Sequence, residues 1–255
     1  MQKESLDTNK NMTGGPDGTG GTGSSRGALL TGLVVIVLTP AALLLSWKMG
    51  SGQYWLTSVV IMLLSMVPFF VRFERRKPSA RELVILSTMC AIAVVSRAAF
   101  IMLPSVKPML GIIMIAGIAL GAEAGFLTGA ISAFVSNFIF GQGPWTPWQM
   151  FAFGFSGFIA GILASKGILK PEKRVPVAVF GGLLIFLIIG PILDTCSVLL
   201  ATSVANADSA ILAIYIAGVP VNAVHAAGVA VTLLLLCKPM CEKLERIKVK
   251  YGLMK

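Results

Sequence analysis

The sequence predicts an all-α membrane protein, a six-helix bundle preceded by two extra transmembrane helices. Three observations predict it. Apolar residues make up 56% of the 255-residue chain and only 13% are charged, against roughly 45–50% apolar residues in a soluble domain. The mean hydropathy is +0.85. Eight apolar runs approach the length of about 20 residues that crosses a bilayer, and the basic residues fall in short clusters between those runs. The formal charge of +10 therefore reads as loop asymmetry across a membrane and not as a nucleic-acid surface.

In chain order, residues 1–27 are rich in Gly, Ser, Thr and Asn with almost nothing to bury, so they read as a disordered tail. Their glycines follow no strand and precede no Gly-Lys-Ser/Thr, which sets aside a phosphate-binding loop. The predicted spans are 28–47, 54–71, 82–103, 109–122, 124–140, 150–168, 175–196 and 210–237. The first two form a two-helix leader over 28–71. A basic linker, 72–81, separates it from a six-helix core over 82–237, and a basic tail, 238–255, closes the chain. The fourth and fifth spans are parted only by Gly121, Ala122 and Glu123, which predicts a tight hairpin with Glu123 as a solvated turn residue.

Alternating the spans across the membrane places 18 of the 21 basic residues on one side. The opposite side keeps Lys48 and Lys107, and Arg97 lies within a span. The excess of Lys and Arg marks the cytoplasmic side. Both termini are then cytoplasmic, and the connection between the fifth and sixth spans is outside, as is the turn Asn206-Ala207-Asp208.

That outer connection, Gly141-Gln142-Gly143-Pro144-Trp145-Thr146-Pro147-Trp148-Gln149-Met150, holds two of the four tryptophans. Its prolines fix φ and remove donors, so it reads as a stiff loop and not as a helix end. Indoles beside amide side chains are the chemistry of a small-molecule clamp. Polar residues inside a membrane are costly and point to function. Arg97, Asn137, Asp194, Asn222 and His225 all fall toward the outer half of their spans. Together with Trp145, Trp148, Gln142 and Gln149 they are the candidate substrate-binding residues, a cavity open to the outside and lidded by the loop. Arg97 and Asp194 either neutralise each other as a buried pair or contact the ligand, and His225 serves either as an interhelical hydrogen bonder or as a ligand contact.

Small residues recur at four-residue spacing at Ser87 and Ala91, at Gly121, Gly125 and Gly129, and near that spacing at Gly154, Gly157 and Gly161. Such patterns serve helix packing or dock a second membrane protein. Cys90, Cys196, Cys237 and Cys241 form no disulfide framework, and the C-x3-C pair at 237 and 241 has no His beside it, so no metal site is expected. No catalytic constellation or nucleotide-binding motif is present.

Residues 81–237 resemble the substrate-binding (S) components of energy-coupling-factor (ECF) vitamin transporters of prokaryotes. The resemblance lies in Arg81-Glu82-Leu83, in Leu120-Gly121-Ala122-Glu123-Ala124-Gly125-Phe126-Leu127-Thr128-Gly129-Ala130, and in Phe140 to Met150. It implies a non-enzymatic capture subunit in the cell membrane, taking a vitamin from outside with no cofactor of its own. Its partners would be a membrane coupling (T) subunit and two cytoplasmic ATPases that use ATP, with Ser87 and Ala91 nearest the family's docking patch. The Trp-Pro loop looks similar to cobalamin or corrinoid members, and a riboflavin-like or thiamine-like ligand would suit it as well. A stand-alone secondary transporter using Arg97, Asp194 and His225 as an ion-coupling relay is the alternative, and a structural scaffold a third reading.

Overall fold

The computed structural model describes residues 54–103, 105–205 and 211–252. The predicted tail, the first leader span and the turn at 206–208 lie outside the described residues. All regular structure among the described residues is helical: α1 (Tyr54–Arg75), α2 (Ala80–Ala99), α3 (Met109–Leu120), α4 (Ala122–Phe140), α5 (Thr146–Ser165), α6 (Arg174–Leu184), α7 (Gly190–Ala205) and α8 (Ile211–Tyr251). A π-helical turn, Ile185–Ile189, joins α6 to α7. Pro191 has no N–H to give to the turn above it, and the widened turn absorbs that gap. The stretches α2, α4, α5, Arg174–Ala201 and α8 are each long and apolar enough to cross a membrane, while α3 is shorter.

Helix α3 is the axis of the core. Met109 to Gly117 is buried without a break, the pattern of a helix surrounded by others. It packs against α2, α4, α5 and α8. The hairpin to α4 turns at Gly121, whose φ of +100° disfavours any residue with a Cβ. Lys248 Nζ donates to Ala119 O at 3.1 Å and so caps the end of α3.

The glycine spacings are intramolecular packing. A Cβ at Gly125 would lie 2.6 Å from both Gly117 Cα and Gly157 O. Three helices meet there at backbone distance, the close approach that small residues permit. The alternative of a docking seam is set aside for Gly125, Gly129, Gly154, Gly157 and Gly161, each of which faces a neighbouring helix of the same chain.

Two expectations are corrected. The basic tail from 238 onward is not a separate segment, since α8 runs unbroken to Tyr251 and buries Cys241 and Leu244. Glu123 is not a solvated turn residue: it is 5% exposed and accepts from Arg72 Nε at 2.5 Å and Arg76 Nη1 at 3.2 Å. The second leader span packs directly against the core. Met62, Met66, Phe69 and Phe73 of α1 form a buried stripe. Phe69 stacks on Phe126 with ring centroids 3.8 Å apart and meets Phe158 edge-on at 4.9 Å.

Among the described residues, the basic clusters fall at one end of the bundle, in the connections α1–α2 and α5–α6 and along the end of α8. The connections 100–108 and 141–145 fall at the other end, which carries the candidate site.

Candidate functional site

At the end away from the basic clusters, the Trp-Pro segment divides into a short loop and a helix start. Helix α5 begins at Thr146 with Pro147 in its first turn, so the reading of all ten residues as loop is corrected. Proline suits a first turn because its missing N–H would have no partner there. Pro147 in the first turn is the signal that marks the start.

The loop is braced internally. Thr146 Oγ1 donates to Gln142 Oε1 at 2.8 Å and accepts from the Gly143 N–H at 3.2 Å. Gln142 Nε2 donates to Phe134 O at 3.0 Å, which spends Gln142 on fixing the loop. The two indoles part company. Trp145 is 40% exposed, whereas Trp148 is 2% exposed and donates from Nε1 to Ser58 Oγ on α1 at 3.3 Å. A three-residue offset on a helix turns the side chains apart only modestly, yet α1 claims the second ring. The expected two-plate clamp is therefore corrected to one indole at the surface and one in the core.

Trp145 and Gln149 form one wall of a groove of about 300 Å³. Leu193, Cys196, Ser197 and Leu200 of α7 form the other. Spaced at three and four, these α7 positions share one face of the helix. They carry no intramembrane charge, which is why the sequence did not single them out.

A polar chain runs inward from Gln149. Its Oε1 accepts from Asn137 Nδ2 at 2.8 Å, and the same amide nitrogen reaches Thr146 Oγ1 at 3.1 Å. Asn137 Oδ1 accepts from Arg97 Nη1 at 2.9 Å, and Arg97 Nη1 also donates to Ser136 Oγ. Asn137 and Ser136 are fully buried and Arg97 is 5% exposed. The guanidinium lies 4.3 Å from the centroid of the Phe140 ring, a cation–π contact. Lys107, in the α2–α3 connection, addresses the same ring at 5.7 Å. Burial, with the neighbouring Arg97 charge, holds the Lys107 amine below the usual lysine range.

Arg97 and Asp194 do not neutralise each other. Asp194 accepts from Asn222 Nδ2 at 2.7 Å and packs against Gly218, which places it in the α7–α8 contact. The candidate polar residues therefore form two networks, Arg97–Asn137–Gln149 and Asp194–Asn222. His225 joins neither by a hydrogen bond, its buried Nε2 having no partner. The proposed ion-coupling relay through Arg97, Asp194 and His225 is thus not connected.

On α2, Ser87 and Ala91 are exposed along with Leu83, Val84, Thr88, Ile92 and Val95. The Ser87 and Thr88 hydroxyls are satisfied by the carbonyls of Leu83 and Val84, so this face presents methyl and methylene surface. Cys237 and Cys241 are buried one turn apart on α8. No group of three or more His, Cys, Asp or Glu side chains placed to hold a metal occurs among the described residues.

Among curated proteins and among solved structures the chain has no match. Residues 77–241, well over half of the chain, match the family model described as ECF-type riboflavin transporter, S component. The match opens just before α2 and closes within α8, and so spans the six-helix core while leaving α1 outside it. It covers the α4–α5 connection, the groove and the buried arginine alike. The chain belongs to the ECF-type riboflavin transporter S-component family, and is a transporter component and not an enzyme.

Proposed function

We propose that this chain is the substrate-capturing subunit of an ECF importer and that it takes up a flavin-sized, flat vitamin. The observation that carries this reading is the groove between Trp145 and Gln149 on α5 and the face of α7. One exposed indole above an apolar wall suits a planar ring system, and Gln149 supplies a directed polar group. At about 300 Å³ the groove stands at the small end of ligand sites, which run from roughly 300 to 1,000 Å³. That volume favours a three-ring flavin over a corrinoid with its axial nucleotide, and the family's riboflavin description supports the same choice.

By the positive-inside rule the basic end is cytoplasmic. The groove then opens outward, both termini are inside, and capture precedes delivery. The chain binds no cofactor of its own, and partner ATPases acting through a membrane coupling subunit drive release. The small, non-polar face of α2 around Ser87 and Ala91 supports docking of that coupling subunit.

Titrating riboflavin into the purified chain, with flavin fluorescence as readout, tests the substrate. Saturable quenching by riboflavin, with no stabilisation by cyanocobalamin, is the expected result. Cyanocobalamin binding without a response to riboflavin would overturn the flavin assignment in favour of a corrinoid.

A further inference from the structure

Among the described residues, the outer end of the core carries two cations with no acid bonded to either. Arg97 spends its hydrogen bonds on neutral partners, Ser136 and Asn137, and its buried Nε has none. Lys107 shares the Phe140 ring with it. The α2–α3 connection that bears Lys107 rests on α8 at Gly228, where Val106 is the nearest neighbour. His225 lies three residues before Gly228, on the same helix face. Its unpartnered Nε2 is within electrostatic reach of both Lys107 and Arg97.

The carboxylates of the described residues are committed elsewhere. Asp194 is held by Asn222, and Glu74, Glu82, Glu123, Glu172, Glu242 and Glu245 all lie toward the basic end. Two like charges that are both largely buried repel each other and lose hydration, a cost that falls when a counter-charge sits between them. Neutral amides and hydroxyls orient the guanidinium but do not neutralise it.

We propose that Arg97, Lys107 and His225 form an anion-binding subsite that takes a phosphate or carboxylate group. The guanidinium's planar fork suits either oxyanion, and the lysine adds a mobile point charge. The unpartnered imidazole Nε2 of His225 supplies a third polar group. Asn137 bonds Arg97 on one side and Gln149 of the groove on the other, so the subsite adjoins the groove. The anion comes either from solution or from an acidic tail on the captured vitamin. The subsite stands on the cation cluster alone, and only its use by a vitamin rests on the proposed function.

The test uses the purified full-length chain with two probes. Inorganic phosphate, compared with chloride at equal ionic strength, is followed by the melting temperature. Flavin mononucleotide, compared with riboflavin, is followed by flavin fluorescence. Phosphate should raise Tm saturably, and Lys107→Gln, a change in a connection and not in a helix, should abolish the rise. Arg97→Gln should do the same but also cuts the α2–α4 tie, so Lys107→Gln decides. If the anion is the vitamin's own, flavin mononucleotide binds roughly tenfold tighter than riboflavin, the scale of one charge-assisted hydrogen bond. Equal affinity for the two flavins with the phosphate response intact assigns the anion to solution. Neither a phosphate response nor a preference for the phosphorylated flavin overturns the subsite. Equal loss of both flavins in Lys107→Gln, with no phosphate response in the unmodified chain, overturns it as well. A phosphate response without riboflavin binding would retire the flavin reading and leave the subsite standing.

Discussion

Trp145 and Trp148 differ by three positions and have opposite environments, and the difference is measurable. Trp145→Ala removes the exposed wall of the groove and should weaken riboflavin binding by about 1–3 kcal/mol with little change in Tm. Trp148→Ala empties a core position against α1 and should cost about 3–5 kcal/mol of stability, read by thermal unfolding, with a smaller effect on affinity per folded molecule. The opposite ranking would place the binding surface on the α1 side. Lys107 supplies a pH signature. Its pKa in the fold lies below the unfolded value, through burial first and Arg97 second, so the charged amine is disfavoured. The resulting penalty is fully present below the folded-state pKa and fades as pH rises toward the ordinary lysine value of 10.5. Ligand-free Lys107→Gln should therefore melt above the unmodified chain at neutral pH, and the gap should close as pH rises. A gap that widens with pH would contradict the cation-crowding account.

Among the helices, α1 is the element whose attachment the sequence did not reveal. Three contacts fix it: the Glu123 pairs with Arg72 and Arg76, the Phe69 stack, and the Trp148–Ser58 hydrogen bond. Breaking a fully buried ion pair costs about 3–5 kcal/mol. The arginine side chains here are 24% and 34% exposed, so Glu123→Gln should cost less, about 1–3 kcal/mol. Accelerated proteolysis between α1 and α2 would report it, and an unchanged cleavage rate would mean the aromatic stack holds α1 by itself. The α3–α4–α5 seam is less forgiving. A Cβ at Gly157 would collide with Gly125 O, and backbone cannot move aside as a side chain can, so Gly157→Leu should prevent stable assembly, seen as aggregation on detergent extraction. On α2 the expectation is the reverse. Ala91→Trp enlarges an exposed position, so it should leave riboflavin binding intact while blocking ATP-dependent uptake in vesicles that contain the coupling subunits. Full uptake by that variant would move docking to another face.

For the molecule as a whole, the polarity of the bundle links fold to transport. One end collects the basic clusters, and the other carries the groove and the buried polar chain. Hydropathy and charge spacing made this polarity legible, because the cost of placing a side chain in hydrocarbon depends mainly on that side chain. The α3–α4 hairpin was legible for a similarly local reason, since Gly121 sits where only a glycine turn fits between two apolar runs. The spans that the described residues cover, and the drift of Arg97, Asn137, Asp194 and Asn222 toward the end away from the basic clusters, could be read in this way. Partner choice could not. Arg97 meets Ser136 and Asn137 and not Asp194, Trp148 meets Ser58 some ninety residues away, and Glu123 is drawn to Arg72 and Arg76. Each outcome depends on how far a helix is rotated about its own axis, and packing at contacts such as Gly125 against Gly157 sets that rotation. The sequence by itself determined a membrane bundle and its charged end, because burial in lipid is a property of each segment alone. Only the tertiary structure decided which polar groups meet, because side-chain pairing depends on the mutual orientation of helices that no single segment encodes.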